Sequence, residues 1–167
     1  MAEQLKEMFN QTYYRHLAVE LNKVYKSFES EKFIKEVTQN LSELSLNQRL
    51  RNTSVVLKKY FPEDYKKTIS IFSDVVSNVK GGYTTLVFPD FVGLYGHDDF
   101  EISMEALKHF TQFGSSEFAI REFLKRDFGK TIKVMQQWAK DENHNVRRLA
   151  SEGSRRRLPC SFKLDEV

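Results

Sequence analysis

The stretch DENHNVRRLASEGSRRRLP, residues 141–159, contains the start, the apolar face and the end of one helix together with a cluster of arginines. Asn143 is a typical N-cap residue, because its side chain can accept a hydrogen bond from the first free N–H groups of a helix. Apolar residues then recur at helical spacing, at Val146, Leu149 and Ala150. Gly153 stands where a glycine commonly ends a helix in the left-handed conformation. The stretch therefore predicts a short amphipathic helix that ends at Gly153 and leaves its arginines in solvent.

The positive charge of the chain is concentrated in this stretch. Residues 144–163 contain six basic side chains and a single acidic one, Glu152, so this segment alone carries a charge of +5. The whole chain has a charge of +3, which leaves −2 for all other residues. The six basic residues are Arg147, Arg148, Arg155, Arg156, Arg157 and Lys163. A local basic patch on an otherwise balanced chain indicates a surface that faces a polyanion.

Length and composition predict one globular domain. The 167 residues are 40% hydrophobic and 29% charged, which is ordinary for a chain that folds by burial. No apolar run approaches the roughly 18 residues that span a bilayer, and the opening MAEQLKEMFN lacks the pattern of a secretory leader. We therefore expect a cytoplasmic protein without membrane contact. The single Cys160 and the four histidines have no metal-ligand spacing, so we expect no disulfide, metal or other cofactor.

The rest of the chain shows apolar residues at helical spacing, with boundaries marked by capping residues, proline and glycine. Ser45 and Gln48 have the S-x-x-Q spacing of a capping box. Pro62 is predicted to occupy the first position of a helix, and Gly129 is predicted to break one. The pattern predicts one helix after another.

One run, Thr84–Phe88, has β-like composition. Because it has no partner strand, we interpret it as a connection into a helix over residues 89–95. Phe118 and Trp138 stand at apolar helical spacing and are predicted to lie in the core.

The short helices pair into hairpins at intervals of about 35 residues, as in 98–124 and 131–153, which favours a right-handed α-α superhelix of HEAT or armadillo type. An irregular helical bundle has the same periodicity and is the alternative. Asp141 followed by Val146-Arg147-Arg148 resembles the signature of the second half of a HEAT repeat. In such repeats Arg147 pairs with Asp141, and this role stands beside a phosphate contact as an open alternative.

Two motifs carry a more specific resemblance: SEFAIR at 116–121 with the following Phe123-Leu124, and VRRLASEGSRRRL at 146–158. Together they resemble the DNA alkylation repair family, in particular its AlkC-like glycosylases built from HEAT-like repeats. Weaker similarity covers most of the chain, in LSLNQRLRNTSVVLKKYFPEDY, FPDFVGLYG and MEALKHFTQFGSSEF. Family members are longer, so we expect 1–167 to be a single helical-repeat domain, an N-terminal portion or truncated member that lacks C-terminal repeats.

The resemblance implies a DNA repair glycosylase that hydrolyses the N-glycosidic bond of cationic N3-alkylated bases, of 3-methyladenine type, in double-stranded DNA. The glutamates of the two family motifs belong to the active site, and by position these are Glu117 and Glu152. They are 35 residues apart, about one repeat, so we expect them on the same wall of the solenoid. The candidates for phosphate contacts are Arg121, Arg147, Arg148, Arg155, Arg156 and Arg157.

The chain departs from the family pattern at Cys160, where a tryptophan of the lesion site is expected, and at Glu122 and Arg156, where prolines are expected. A thiol cannot stack on a base or hold a cationic purine by a cation–π contact. The second hypothesis is therefore a catalytically impaired paralogue that binds DNA through its arginines. The third is a HEAT scaffold that binds an acidic protein partner.

Simpler roles are open for the two glutamates. Glu117 falls in the first turn of its helix, where a carboxylate is favoured by the helix dipole, and Glu152 has the surroundings of a surface ion pair. The exposed end of a solenoid is also a candidate surface for a homodimer.

Overall fold

The chain is all-α. In the computed structural model the described residues are 5–79, 82–158 and 163–164, and within these ranges there is no β-strand. The helices are α1 (Gln11–Val24), α2 (Ser30–Val37), α3 (Leu46–Tyr60), α4 (Tyr65–Val75), α5 (Val87–Tyr95), α6 (Phe100–Phe110), α7 (Glu117–Arg126), α8 (Phe128–Trp138) and α9 (His144–Gly153). Short 3-10 turns occupy Leu41–Glu43, Val76–Asn78 and Tyr83–Leu86.

The helices are arranged in two rows. In one row α3 packs on α5, α5 on α7 and α7 on α9, while α1, α4 and α6 form the second row. Consecutive helices also pack on each other, as α5 does with α6 and α7 with α8. Stacked helix pairs of this kind are the construction of a helical-repeat superhelix. The predicted fold class is confirmed.

The core between the rows is rich in aromatic rings. The ring of Phe72 meets those of Phe88 and Phe91 edge-on, at centroid distances of 5.3 and 5.0 Å. Phe88 continues the contact to Phe110 in the next hairpin at 5.8 Å. Trp138 is buried in the same cluster, which confirms its prediction as a core residue. Apolar contacts therefore run without interruption through the stacked helices.

Two predicted helix starts are confirmed. The capping box of α3 is present, and the Gln48 side chain accepts a hydrogen bond from the Ser45 N–H at 2.9 Å. Asn143 caps α9, since its side chain accepts from the N–H of Asn145 at 2.9 Å. Both caps act within one turn of chain, which explains why local sequence was sufficient to find them.

The predicted role of Pro62 is wrong. α4 begins at Tyr65, three residues later, and its N-cap is Asp64. The Asp64 carboxylate accepts from the N–H of Lys67 at 3.0 Å. A carboxylate at the N-cap both satisfies a free N–H and favours the positive end of the helix dipole, so it defines the start of the helix better than a proline does.

The predicted break at Gly129 is also wrong. Asp127 ends α7 and is at the same time the N-cap of α8, where its side chain accepts from the Lys130 N–H at 2.9 Å. Gly129 is therefore the second residue of α8. The connection predicted over Thr84–Phe88 is shorter than expected, because α5 begins at Val87.

Gly153 does not adopt the left-handed conformation predicted for it. It is the last residue of α9, and Ser154 after it has a φ of −85°. The described residues with positive φ are Asn40 and Gly82. A Cβ at position 153 would lie 2.7 Å from Cγ2 of Ile120 on α7. Glycine is favoured here because α9 approaches α7 so closely that even a methyl group would have to displace Ile120.

Candidate nucleic-acid interface

Helices α7 and α9, which carry the two motif glutamates, lie side by side and run in the same direction. Glu117 at the start of α7 contacts Arg148 in the middle of α9, and Ile120, one turn along α7, faces Gly153 further along α9. Parallel packing of equivalent helices is what successive repeats of a solenoid produce. Glu152 is one turn after Arg148 on α9, so it follows the arginine that Glu117 contacts.

Glu117 is held in a recessed position. Its side chain is 12% exposed, and Oε1 lies 3.1 Å from Nη2 of Arg148. The start of α7 is anchored from behind, because the Ser116 hydroxyl donates to the carbonyl of Leu107 at 2.9 Å. The Glu117 N–H donates to Oγ of Ser115 at 3.2 Å. The carboxylate therefore has a fixed position at the positive end of a helix, with one arginine beside it.

Glu152 is more accessible. Its side chain is 24% exposed, and its carboxylate pairs with Arg155 at 2.9 Å on the same helix end. Such an exposed pair adds little to stability, at most about 1 kcal/mol. Glu152 can therefore exchange its partner at low cost when a ligand competes for Arg155.

The arginines on and after α9 are exposed, with the side chains of Arg147, Arg148, Arg155, Arg156 and Arg157 all in solvent. Arg156 and Arg157 are not ion-paired with any carboxylate of the described residues. A row of exposed guanidinium groups that follows one helix end offers several forked donors to phosphate oxygens. This surface, Arg147 to Arg157, is called the arginine segment below.

The Asp–Arg pairing expected within a HEAT repeat is absent at Arg147. Its Nη1 donates to the backbone carbonyls of Asp141 and Glu142, each at 2.8 Å. The Asp141 carboxylate instead pairs with Lys108 of α6 at 2.6 Å, and this hydrogen bond lowers the pKa of Asp141. Of the two roles left open for Arg147, the side-chain pairing with Asp141 is therefore not formed, and Lys108 of the preceding hairpin pairs with the aspartate instead.

The prediction that Arg121 contacts DNA is wrong. Its side chain is 0% exposed, and Nη1 donates to the carbonyls of Gly153 at 3.2 Å and Arg155 at 2.6 Å. A guanidinium in this position cannot reach a phosphate. Sequence reasoning failed because position 121 was judged by charge, whereas its place on the buried face of α7 follows from the apolar residues Ile120, Phe123 and Leu124 around it.

The predicted burial of Phe118 in the core is wrong as well. Its side chain is partly exposed, and among the described aromatic residues it is the one that neither belongs to the core cluster nor packs against it. It shares a face of α7 with Glu122 and Lys125, which follow at four and seven residues. That spacing was a usable signal in the sequence, since an apolar residue in line with two charged ones lies on the solvent side.

A second recessed carboxylate lies in the same row of helices, and the sequence did not reveal it. Asp90 of α5 pairs with the exposed Arg51 of α3 at 3.0 Å. Burial raises the pKa of Asp90, and Arg51 opposes this effect. The arrangement repeats that of Glu117 and Arg148: a buried acid on one helix meets an exposed arginine of its neighbour in the row. Two residues 39 positions apart become partners only through helix packing.

Cys160, in place of the family tryptophan, lies outside the described residues. Among the described helices, none combines the length and the apolar character needed to cross a membrane.

Comparison with solved structures tests the resemblance that the two motifs indicated. The chain superposes on the Pseudomonas fluorescens alkylpurine DNA glycosylase AlkC, bound to DNA containing an abasic site analogue, with a TM-score of 0.94 and 48% identity. The chain is thus similar to that glycosylase over nearly its whole length. The match covers 98% of this chain and 46% of that one, and the resemblance inferred from the two motifs is confirmed.

The chain is also similar to a curated relative, "Uncharacterized protein YhaZ" of Bacillus subtilis (strain 168), with 38% identity over 156 residues. That alignment covers 93% of this chain and 43% of the relative. No family model matches the chain. The chain thus spans a little under half the length of each of these two proteins.

Proposed function

We propose that this AlkC-like chain acts as a DNA repair glycosylase, which binds alkylated double-stranded DNA and hydrolyses the N-glycosidic bond of cationic N3-alkylated bases of 3-methyladenine type. The supporting observation is the placement of the recessed Glu117 beside α9, the helix that carries Glu152 and the arginine segment. This arrangement occurs in a chain that is 48% identical to an alkylpurine DNA glycosylase.

The chemistry suits a site that offers carboxylates and no dedicated acid. In a cationic N3-alkylated base the leaving group needs no protonation, because the electron pair of the C1′–N bond neutralises the base as the bond breaks. Positive charge develops on the sugar, and a water molecule adds to C1′ and loses a proton. A carboxylate held near C1′ stabilises that charge in the transition state and orients the water. We assign these roles to Glu117 and Glu152.

The ion pairs of the two glutamates connect binding to this chemistry. Arg148 pairs with Glu117, and Arg155 pairs with Glu152. A phosphate oxygen competes with each carboxylate for its arginine, because both accept the same forked donors. DNA binding would therefore free the two carboxylates to face the sugar, and it would do so only where the backbone reaches the arginine segment.

The excision experiment compares the wild-type chain with Glu117→Gln and Glu152→Gln on methylated duplex DNA, with release of 3-methyladenine as the measurement. Each substitution keeps the shape and removes the negative charge. We expect release by the wild type and a loss of about 100-fold or more in Glu117→Gln, as for removal of a preorganised electrostatic interaction. Glu142→Gln, an exposed acid just before α9, is the matched control and should retain full activity.

A second experiment distinguishes the remaining hypotheses. It measures the affinity of the wild type and of an arginine variant for duplex DNA at several salt concentrations. Replacing Arg156 and Arg157 with alanine should weaken binding and reduce the slope of log affinity against log salt by about 0.9 for each phosphate that is no longer neutralised. No release of base by the wild type, together with such a salt dependence, would favour the DNA-binding paralogue, to which the absence of the family tryptophan at Cys160 points. Absence of both would refute the proposal and favour a scaffold for an acidic protein.

The homodimer stays a prediction, and sedimentation velocity at increasing protein concentration tests it directly. The cytoplasmic location likewise stays a prediction, which fractionation of cells that contain the protein would test.

A further inference from the structure

The buried guanidinium of Arg121 has a specific target. Arg121 is the largest fully buried side chain among the described residues. Burying a cation costs free energy unless its donors are used, so the position of those donors indicates what the residue is for. They point at the carbonyls of Gly153 and Arg155, at 3.2 and 2.6 Å, and more weakly at that of Arg156, at 3.5 Å.

These carbonyls form the C-terminal end of α9 and the first residues after it. The last carbonyls of a helix have no partner within the helix, and the negative end of the helix dipole favours a cation. α9 lacks the left-handed glycine cap that was predicted for Gly153. Arg121 supplies the missing cap from α7 of the preceding repeat, and it continues the contact beyond the helix to Arg155 and Arg156.

The cap supplied by Arg121 also affects the direction in which the neighbouring arginine side chains point. The carbonyls of Arg155 and Arg156 turn inward to Arg121, while the side chains of both residues are exposed. The backbone at this point is also held by the N–H of Leu164, which donates to the Arg156 carbonyl at 3.0 Å. The buried guanidinium of Arg121 therefore orients the backbone segment that carries the exposed side chains of Arg155 and Arg156.

We propose that Arg121 is a positioning residue, which caps α9 and holds Arg155, Arg156 and Arg157 in the orientation that meets the DNA backbone. The inference rests on the proposed function for its DNA partner, but the positioning itself is a property of the free chain. Arg121 touches neither DNA nor the reacting atoms. It acts through the segment that does.

The chain offers a matched control in Arg49. This residue is also buried, lies on α3 of the same row, and donates to the carbonyls of Lys6, Phe9 and Leu44 at 2.9, 3.1 and 3.2 Å. It therefore caps backbone at the opposite end of the row, away from the arginine segment. Substitution of Arg49 has the general cost of removing a buried arginine without changing the end of α9.

The experiment compares Arg121→Met and Arg121→Lys with Arg49→Met and Arg49→Lys, each folded protein held at the same temperature interval below its own melting temperature. Native protein is digested briefly with trypsin, and cleavage after Arg155, Arg156 and Arg157 is followed by mass spectrometry. We expect the Arg121 variants to be cut there about tenfold faster than the wild type, the factor that corresponds to loss of one charged hydrogen bond. The Arg49 variants should be cut there at the wild-type rate.

Duplex-DNA binding gives the second readout. The Arg121 variants should bind more weakly by about tenfold with an altered salt slope, while the Arg49 variants keep the wild-type affinity. The proposal would be overturned if the Arg121 and Arg49 variants were cleaved at equal rates. It would also be overturned if the Arg121 variants were cleaved faster without any change in their DNA affinity. Should Arg121→Met not fold, Arg121→Lys keeps the charge and most of the volume and carries the test.

The two readouts also keep this inference distinct from the proposed function. If the wild-type chain fails to bind DNA, the proposed function fails. A trypsin result specific to the Arg121 variants would still establish that Arg121 holds the segment, and an unspecific result would reject it.

Discussion

Replacing Gly153 with alanine places one methyl group between α7 and α9, the two helices that carry Glu117 and Glu152. The added Cβ would lie 2.7 Å from Cγ2 of Ile120 and 3.4 Å from Cε of Met135. The methionine is flexible and can move. Ile120 cannot move as easily, because it is fully buried and its β-branched side chain has one strongly preferred rotamer in a helix.

The size of the effect follows from two opposing terms. Overpacking a dense core costs about 1–3 kcal/mol, while glycine to alanine in a helix returns up to about 1 kcal/mol, and less at the last helical position. We expect Gly153→Ala to lower the free energy of unfolding by about 1–2 kcal/mol. For a chain of this length that corresponds to a fall in Tm of about 2–8 °C.

Thermal unfolding followed by circular dichroism measures this loss, and a double-mutant cycle identifies its cause. Ile120→Ala removes the methyl group that the new Cβ would meet, so Gly153→Ala should cost little in that background. Gly129→Ala is the matched control. Its new Cβ would meet only Asp127 Oδ1, at 3.8 Å, so the variant should be as stable as the wild type or up to about 1 kcal/mol more stable. If Gly153→Ala lowers the free energy of unfolding equally in both backgrounds, the steric explanation is refuted. Glycine would then be required at position 153 for its backbone conformation.

Two further predictions concern the surface of the repeat. Lys108 lowers the pKa of Asp141 in the folded state, so this carboxylate contributes stability at neutral pH that is lost as the pH falls below about 4. Asp141→Asn should accordingly lower Tm at pH 7 and should differ less from the wild type at pH 3, and an equal difference in thermal melts at both values would contradict the ion pair. Phe118→Ala should leave Tm nearly unchanged, because the ring is partly exposed and lies outside the core cluster, whereas a large fall in Tm would show that the ring belongs to the core after all.

The helices and their caps were largely readable from sequence because they are short-range features. Ser45 and Gln48 act on each other within one turn, and Asn143 acts on the N–H of Asn145, so residue type and spacing are sufficient. Two errors, at Pro62 and Gly129, came from giving proline and glycine more weight than the aspartates beside them. Asp64 and Asp127 decided those helix starts.

The candidate site was readable only in part. Motif resemblance selected Glu117, Glu152 and the arginine segment, and the charge distribution pointed to the same place. The partners of these residues were not readable. Which arginine meets Glu117 depends on how closely α9 approaches α7, and that distance is set by a glycine whose neighbour lies 33 residues earlier in the chain.

The sequence by itself determined that this protein is a series of short helices with one strongly basic segment and a pair of glutamates one repeat apart. Periodicity, capping chemistry and charge are properties of neighbouring residues, so they can be read from the sequence without knowledge of the fold. The tertiary structure alone decided that Arg121 is a buried cap, that Phe118 faces solvent, and that Gly153 is a contact between helices. The physical reason is that a carbonyl, a methyl group and a guanidinium from different repeats interact over a few ångströms, and only the packing of parallel helices brings them within that range.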